Sequence, residues 1–176
     1  MHPLILKYYP EASPLRDLLV HHSRQVVDRA LFVAARHPEL SLNLDLLVEG
    51  AWVHDIGIFL TDAPGIHCYG KHPYLLHGAL GAELMRQEGR EDLARICERH
   101  TGTGLTVDNI REQNLPLPLR DYRPETLEEQ VICYADKFYS KSHPERERSV
   151  EQTAESLKKF GTEGVQIFLK WAELFE

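Results

Sequence analysis

The chain has 176 residues, a length that favours one domain and leaves little room for a second. Its 43% hydrophobic and 27% charged residues are an ordinary globular mixture, which excludes a disordered chain. Twenty basic against 27 acidic residues give a net charge of -7, which argues against a general nucleic-acid binder but admits a small anionic substrate met by a metal ion.

No apolar run approaches the roughly 20 residues that span a bilayer, and Met1 to Pro10 lacks the make-up of a secretory signal. Cys68, Cys97 and Cys133 are scattered and odd in number, which reads as reduced thiols of a cytoplasmic protein. Ser13-Pro14 offers a hydroxyl cap with proline in the first helical turn. Leu15, Leu18, Leu19, Val26, Val27, Ala30, Val33 and Ala34 then recur at helical spacing until His37-Pro38. A second helix begins near Asn43 or Leu44 and runs through Leu47, Val48, Ala51 and Trp52 to Gly57. Thr61 to Pro73 reads as loop from its Asp, Pro and Gly content. Helical pattern returns from Tyr74 to Gly89 and from Glu91 to about His100, and Thr101 to Pro124 is irregular with room for a short helix. Thr126 opens a further helix with Glu129 as its capping-box partner. Lys141 to Arg148 reads as a solvated, charged connection. Ser149 to Phe160 and Thr162 to Phe175 form two closing helices, the last packed on its own domain. The expectation is an all-α, single compact bundle over residues 1–176, with its chemistry between about 15 and 140.

Ten histidines stand out in the composition. His54-Asp55 ends the second helix within apolar sequence, where a buried carboxylate is costly unless compensated. His22 lies on the buried stripe of the first long helix, whereas His21 faces elsewhere. His77 is followed by Gly78, Ala79, Gly81 and Ala82, small residues that let another helix approach. His100 closes one helix and Asp136 lies on another. Any one of these alone is a core histidine or a helix cap. Together, four histidines and two carboxylates form an N/O set suited to Fe, Mn, Zn or Co rather than Ca or Mg alone, of the kind helix bundles assemble from inward-facing side chains.

His22-Ser23, the string His54-Asp55-Ile56-Gly57, His77-Gly78, His100-Thr101 and Ala135-Asp136-Lys137 occur in that order. This pattern resembles the HD-domain metal-dependent phosphohydrolase superfamily in its HDIG variant, and the extra histidines His77 and His100 resemble its binuclear branches. The resemblance implies an HD-type helical bundle and two divalent ions, Fe or Mn first, with Zn, Co, Ni or Mg admissible. It implies His22, His54, Asp55, His77, His100 and Asp136 as ligands, with Asp55 bridging. His22, His54 and Asp136 would hold one ion, and His77 and His100 the other. Asp55 and His54 would be the catalytic residues, in the attack on phosphorus of water made acidic between the ions.

Many relatives carry a lysine directly after HDIG, where this chain has Ile58. Lys71, His72, Arg99 and Lys137 are the candidates for holding the substrate, while Lys141 is expected on the surface. His67 or His72, or a metal-bound water, would protonate the leaving oxygen. The loops Asp62 to Tyr74 and Thr101 to Tyr122 are either walls of the site or plain connections. The expected partner is a small phosphorylated substrate, by family precedent a nucleotide, with no nucleic acid and no membrane. A di-iron oxygenase on the same scaffold and a non-catalytic metal- and nucleotide-binding sensor are the alternatives, because the ligand set suits each.

Overall fold

The computed structural model describes Met1–Glu176, all side chains except that of Phe160. It is mostly helical: α1 (Pro3–Tyr8), α2 (Pro14–Arg36), α3 (Leu44–Val53), α4 (His77–Gln87), α5 (Glu91–Arg99), α6 (Val107–Glu112), α7 (Leu127–Asp136), α8 (Val150–Leu157) and α9 (Thr162–Phe175). Two small sheets accompany them. One has the order β2-β1-β3, from Cys68–Tyr69, Thr61–Ala63 and His72–Pro73; the other pairs β4 (Tyr139–Ser140) with β5 (His143–Glu147).

The helix starts follow their capping chemistry. The Ser13 hydroxyl accepts from Arg16 N at 3.2 Å with Pro14 in the first turn. Thr126 and Glu129 form a reciprocal capping box at the head of α7, as do Ser149 and Gln152 at α8. The apolar stripe of α2 buries Leu19, Val26, Ala30 and Val33 against Leu47 and Ala51 of α3 and Val131 and Ile132 of α7. Antiparallel α4 and α5 pack closely and lay Met85, Leu93 and Ile96 into the same core. Aromatic rings join α9 to this frame: Tyr134 lies 5.1 Å from Phe168 and 5.4 Å from Phe175, centroid to centroid. The closing helix therefore packs on its own chain. No helix is long and apolar enough to cross a membrane, among the described residues.

The all-α expectation is borne out, and four local readings are corrected. The stretch from Thr61 to Pro73 folds as the three-stranded sheet, whose strands of two or three residues are too short to show an alternating pattern. Lys141 to Arg148 is largely the β4–β5 hairpin rather than a plain connection. The second predicted helix stops at Val53, not Gly57, and α4 starts at His77 after a short 3-10 turn over Tyr74–Leu76. The six-residue helix α1, capped by the His2 ring on Leu4 N, carries too few turns to register as a periodic segment.

Candidate metal centre

Adjacent residues on a helix point about 100° apart. By leaving the helix at Val53, the chain turns through Ile56 N–Val53 O at 2.9 Å and Ile58 N–Asp55 O at 3.0 Å. His54 and Asp55 then aim at one point, with His54 Nε2 and Asp55 Oδ2 3.0 Å apart. Tyr9 braces this turn from outside: its hydroxyl donates to Ile56 O at 2.8 Å and accepts from Phe59 N at 3.4 Å.

The other half of the site depends on close helix approach. A Cβ on Gly57 would sit 2.3 Å from the His77 carbonyl oxygen, and one on Gly78 would sit 2.5 Å from that of Cys97. Only glycine allows the first turn of α4 to wedge between the His54–Gly57 turn and the end of α5. That wedge carries His77, the first residue of α4, and His100, just beyond α5, to Asp55. His22 arrives from the middle of α2 and Asp136 from the last position of α7.

The structure brings all six predicted ligands together, and all are buried. Asp55 stands between two groups. Its Oδ2 lies 3.1 Å from His22 Nε2 and 3.0 Å from His54 Nε2, and its Oδ1 lies 3.4 Å from both His77 Nε2 and His100 Nε2. Asp136 Oδ1 joins the first group, 3.0 Å from His22 Nε2. Within each group, His22–His54–Asp55–Asp136 and Asp55–His77–His100, ligand atoms lie within 4.8 Å of one another.

Three of the imidazoles are held by one device. Nδ1 of His54, His77 and His100 each lies 2.7 Å from the carbonyl oxygen three residues earlier, on Ala51, Tyr74 and Cys97. A carbonyl only accepts, so Nδ1 carries the proton and Nε2 is the atom left for a ligand. The Nε2 atoms meet nitrogen to nitrogen, at 3.3 Å for His22–His54 and 3.0 Å for His77–His100. Both Asp55 oxygens are buried without a hydrogen bond of proper geometry despite these short contacts. At the His77–His100 pair, two buried Nε2 lone pairs face one another beside Asp55 Oδ1, which has no hydrogen bond, and that arrangement fits a divalent cation.

The electrostatics agree. Burial lowers His77, to about 3, with His100 beside it adding to the effect; burial likewise lowers His100. Burial alone would lower His54 too, but Asp55 and Asp136 hold it up at about 9. Burial works to raise Asp55 and Asp136, yet Lys141 and His54 around the one, and Lys137 and His22 around the other, hold both well below the usual carboxylate range. One half of the cluster is neutral and ready to ligate; the other half is an ion-pair network whose proton an incoming cation displaces.

His77, His100 and Asp136 open onto a cavity of about 580 Å³ that Lys137, Lys141 and Arg148 also line. Lys141 is the main correction among the site residues. The sequence reading put it on the surface, but the tight β4–β5 turn drives it inward, with Nζ 2.5 Å from Asp55 Oδ2. Lys137 pairs with Asp136 and donates to the His100 carbonyl at 2.9 Å. Lys71 and His72 are exposed and do not line this cavity, and His67 is exposed likewise. Arg99 is turned away, donating to Arg123 O at 2.6 Å and pairing with Glu125 at 2.8 Å. Sequence reasoning also missed Tyr74, stacked on His77 at 4.6 Å, and Arg148. The one available signal for Lys141 was its place four residues beyond Lys137, which a run of surface charges masks.

A family model described as the HD domain matches residues 19–141. Among curated proteins, a tRNA (cytidine(56)-2'-O)-methyltransferase of Picrophilus torridus is 32% identical over 149 residues, covering 79% of this chain and 39% of its own length. The protein of that name from Thermoplasma volcanium is 29% identical over 148 residues, covering 84% and 38%. This chain thus spans about four tenths of the length of these methyltransferases. An uncharacterized protein of Methanocaldococcus jannaschii is 37% identical over 123 residues, covering 68% of this chain and 65% of its own. Among solved structures, the HD domain of the Listeria monocytogenes phosphodiesterase PgpH in complex with cyclic-di-AMP has a TM-score of 0.56 at 20% identity, covering 96% of this chain and 93% of that one. At that identity the likeness speaks for the fold alone.

Proposed function

The chain belongs to the HD domain family, and from that premise we propose that it is a metal-dependent phosphohydrolase cleaving a phosphoester or phosphoanhydride of a small phosphorylated substrate. The observation that carries the reading is the buried meeting of imidazole Nε2 atoms on both sides of the Asp55 carboxylate, beside a cavity lined with cationic side chains. His22, His54, Asp55 and Asp136 would hold one divalent ion, and Asp55, His77 and His100 a second. Such ions supply an acidic water as nucleophile and neutralise charge developing on phosphoryl oxygens.

The chain's own residues do the rest. Lys137, Lys141 and Arg148 stand where non-bridging phosphate oxygens would lie, supplying the charge that Ile58 does not. Lys141 exchanges Asp55 for the substrate. Tyr74, whose phenol burial raises to about 12, keeps its Oη proton at neutral pH and can donate it as a hydrogen bond at the cavity wall. The backbone carbonyls behind His54, His77 and His100 keep the rings from turning, so orientation costs nothing when substrate arrives.

The test is metal analysis of the purified protein together with turnover of a panel of nucleotides and phosphate esters, in air and anaerobically with Mn. Phosphate release is expected under both atmospheres and is expected to vanish in Asp55→Ala along with bound metal. Turnover only in the presence of dioxygen would replace hydrolysis with oxidation. An intact cluster with no turnover on any phosphate would replace it with a binding role.

A further inference from the structure

Beside the metal centre lies a second cavity, of about 440 Å³. The two are neighbours, with Tyr74, His77, Thr101, Gly102 and Leu157 lining both. Their characters differ. The first presents Lys137, Lys141 and Arg148, whereas the second is walled largely by the aliphatic side chains of Leu75, Leu105, Leu115 and Ile167, with Arg123 and Glu163 also lining it. Two side-chain amides reach it, those of Asn109 and Gln113. Asn109 Oδ1 is committed to Thr106 N at 3.0 Å, which leaves its NH2 to point elsewhere. The Gln113 side chain lies at the end of α6 and makes no hydrogen bond to the protein, among the described residues.

We propose that this second cavity is the subsite for the nucleobase of a nucleotide substrate, whose phosphate reaches the metal centre across the shared wall. Aliphatic faces suit a flat, weakly hydrated ring. Amides, which both donate and accept, suit the mixed donor and acceptor edge of a base. A purely alkyl group would make no use of those amides, and a sugar phosphate would leave the aliphatic walls against water. The cavity is of the size and make-up of small-molecule sites, apolar with a few placed polar groups. The inference rests on the phosphohydrolase reading only for where the phosphate lies.

Gly164, in α9, provides a clean perturbation. A Cβ there meets only Thr103 Oγ1, at 3.1 Å, and the residue lines the cavity. Gly164→Leu therefore fills the subsite while raising helix propensity. The experiment is equilibrium binding of AMP, GMP, CMP, UMP and ribose 5-phosphate to the Mn-loaded protein, with p-nitrophenyl phosphate turnover measured alongside. At least one nucleotide is expected to bind tenfold or more tightly than ribose 5-phosphate. Gly164→Leu should abolish that preference and leave ribose 5-phosphate binding unchanged. The milder Gln113→Ala, at an exposed position, should cut the preference by threefold or more and serves if Gly164→Leu does not fold. Equal binding of all five ligands, or a preference untouched by either variant, overturns the proposal even where p-nitrophenyl phosphate is hydrolysed. A preference that both variants reduce, without turnover of any phosphate, upholds the subsite and overturns the hydrolase reading instead.

Discussion

Gly57→Ala isolates the helix wedge that assembles half of the metal centre. Gly57 has φ -83° and ψ -1°, a conformation alanine adopts freely, so the effect of the substitution is steric. The added Cβ would lie 2.3 Å from the His77 carbonyl oxygen and 2.5 Å from Gly81 N, where ordinary contact begins at 3.4 Å. Both neighbours are backbone atoms and cannot rotate aside, so the first turn of α4 must retreat by roughly 1 Å in a close-packed interior. Overpacking of this kind costs about 1–3 kcal/mol, a fall in Tm of roughly 2–12 °C for a chain of this length. His77 moves with the turn, away from Asp55 Oδ1, while His22 and Asp136 ride on α2 and α7 and stay in place. Metal titration by calorimetry and thermal denaturation of the metal-free protein give the two readouts. The expected result is that metal on the His77 side weakens by tenfold or more, with binding at His22, His54 and Asp136 retained. Unchanged stoichiometry, affinity and Tm would refute the claim that glycine at this position sets the geometry.

Three further outcomes are expected. In the metal-free protein, His54 is raised from 6.5 to about 9, so its stabilisation is complete below pH 6.5 and lost as pH climbs to about 9. His77, lowered to about 3, penalises the fold increasingly as pH drops below 6.5. Urea denaturation with chelator should therefore find maximal stability near pH 6.5, and a steady rise through pH 9 would contradict this. Lys141→Met removes the ammonium that competes with a cation for Asp55 Oδ2. Metal affinity should rise, the metal-free fold should lose about 1–3 kcal/mol from the less compensated carboxylate, and KM for a phosphate ester should rise; weaker metal binding would count against the competition. Cys68, Cys97 and Cys133 are buried and unbridged, with Cys133 pushed up to about 12 by burial. A thiol reagent should find no reactive sulfur before denaturation and three after it.

Much of this architecture was written in local sequence signals. The stripe on α2 and the Thr126–Glu129 capping box are short-range features, and both fold as their chemistry dictates. The order of His22, His54-Asp55, His77, His100 and Asp136 was legible because motif spacing survives without knowledge of helix directions. What escaped depends on tertiary context. Strands of two or three residues hold only because β1 pairs on both sides. The break after Val53 comes from several chains meeting at one point, which no propensity of His54 or Asp55 encodes. Lys141 sits in a run of charges whose neighbours His143 and Glu145 are open to water, and only the hairpin turn separates it from them. Lys71 and His72 had the right chemistry and proximity in sequence to His77, but β3 pairs with β1 and carries them to an exposed edge.

The Tyr9 hydroxyl, bonded at once to Ile56 O and Phe59 N, has a practical consequence. The matched family segment begins at residue 19, so a protein trimmed to that boundary would lack the strut beneath the His-Asp corner. Such a truncation would also lose the Ser13 cap, the first turn of α2 and the buried Ile5, so a shortened variant that loads poorly would say nothing against the parent's chemistry.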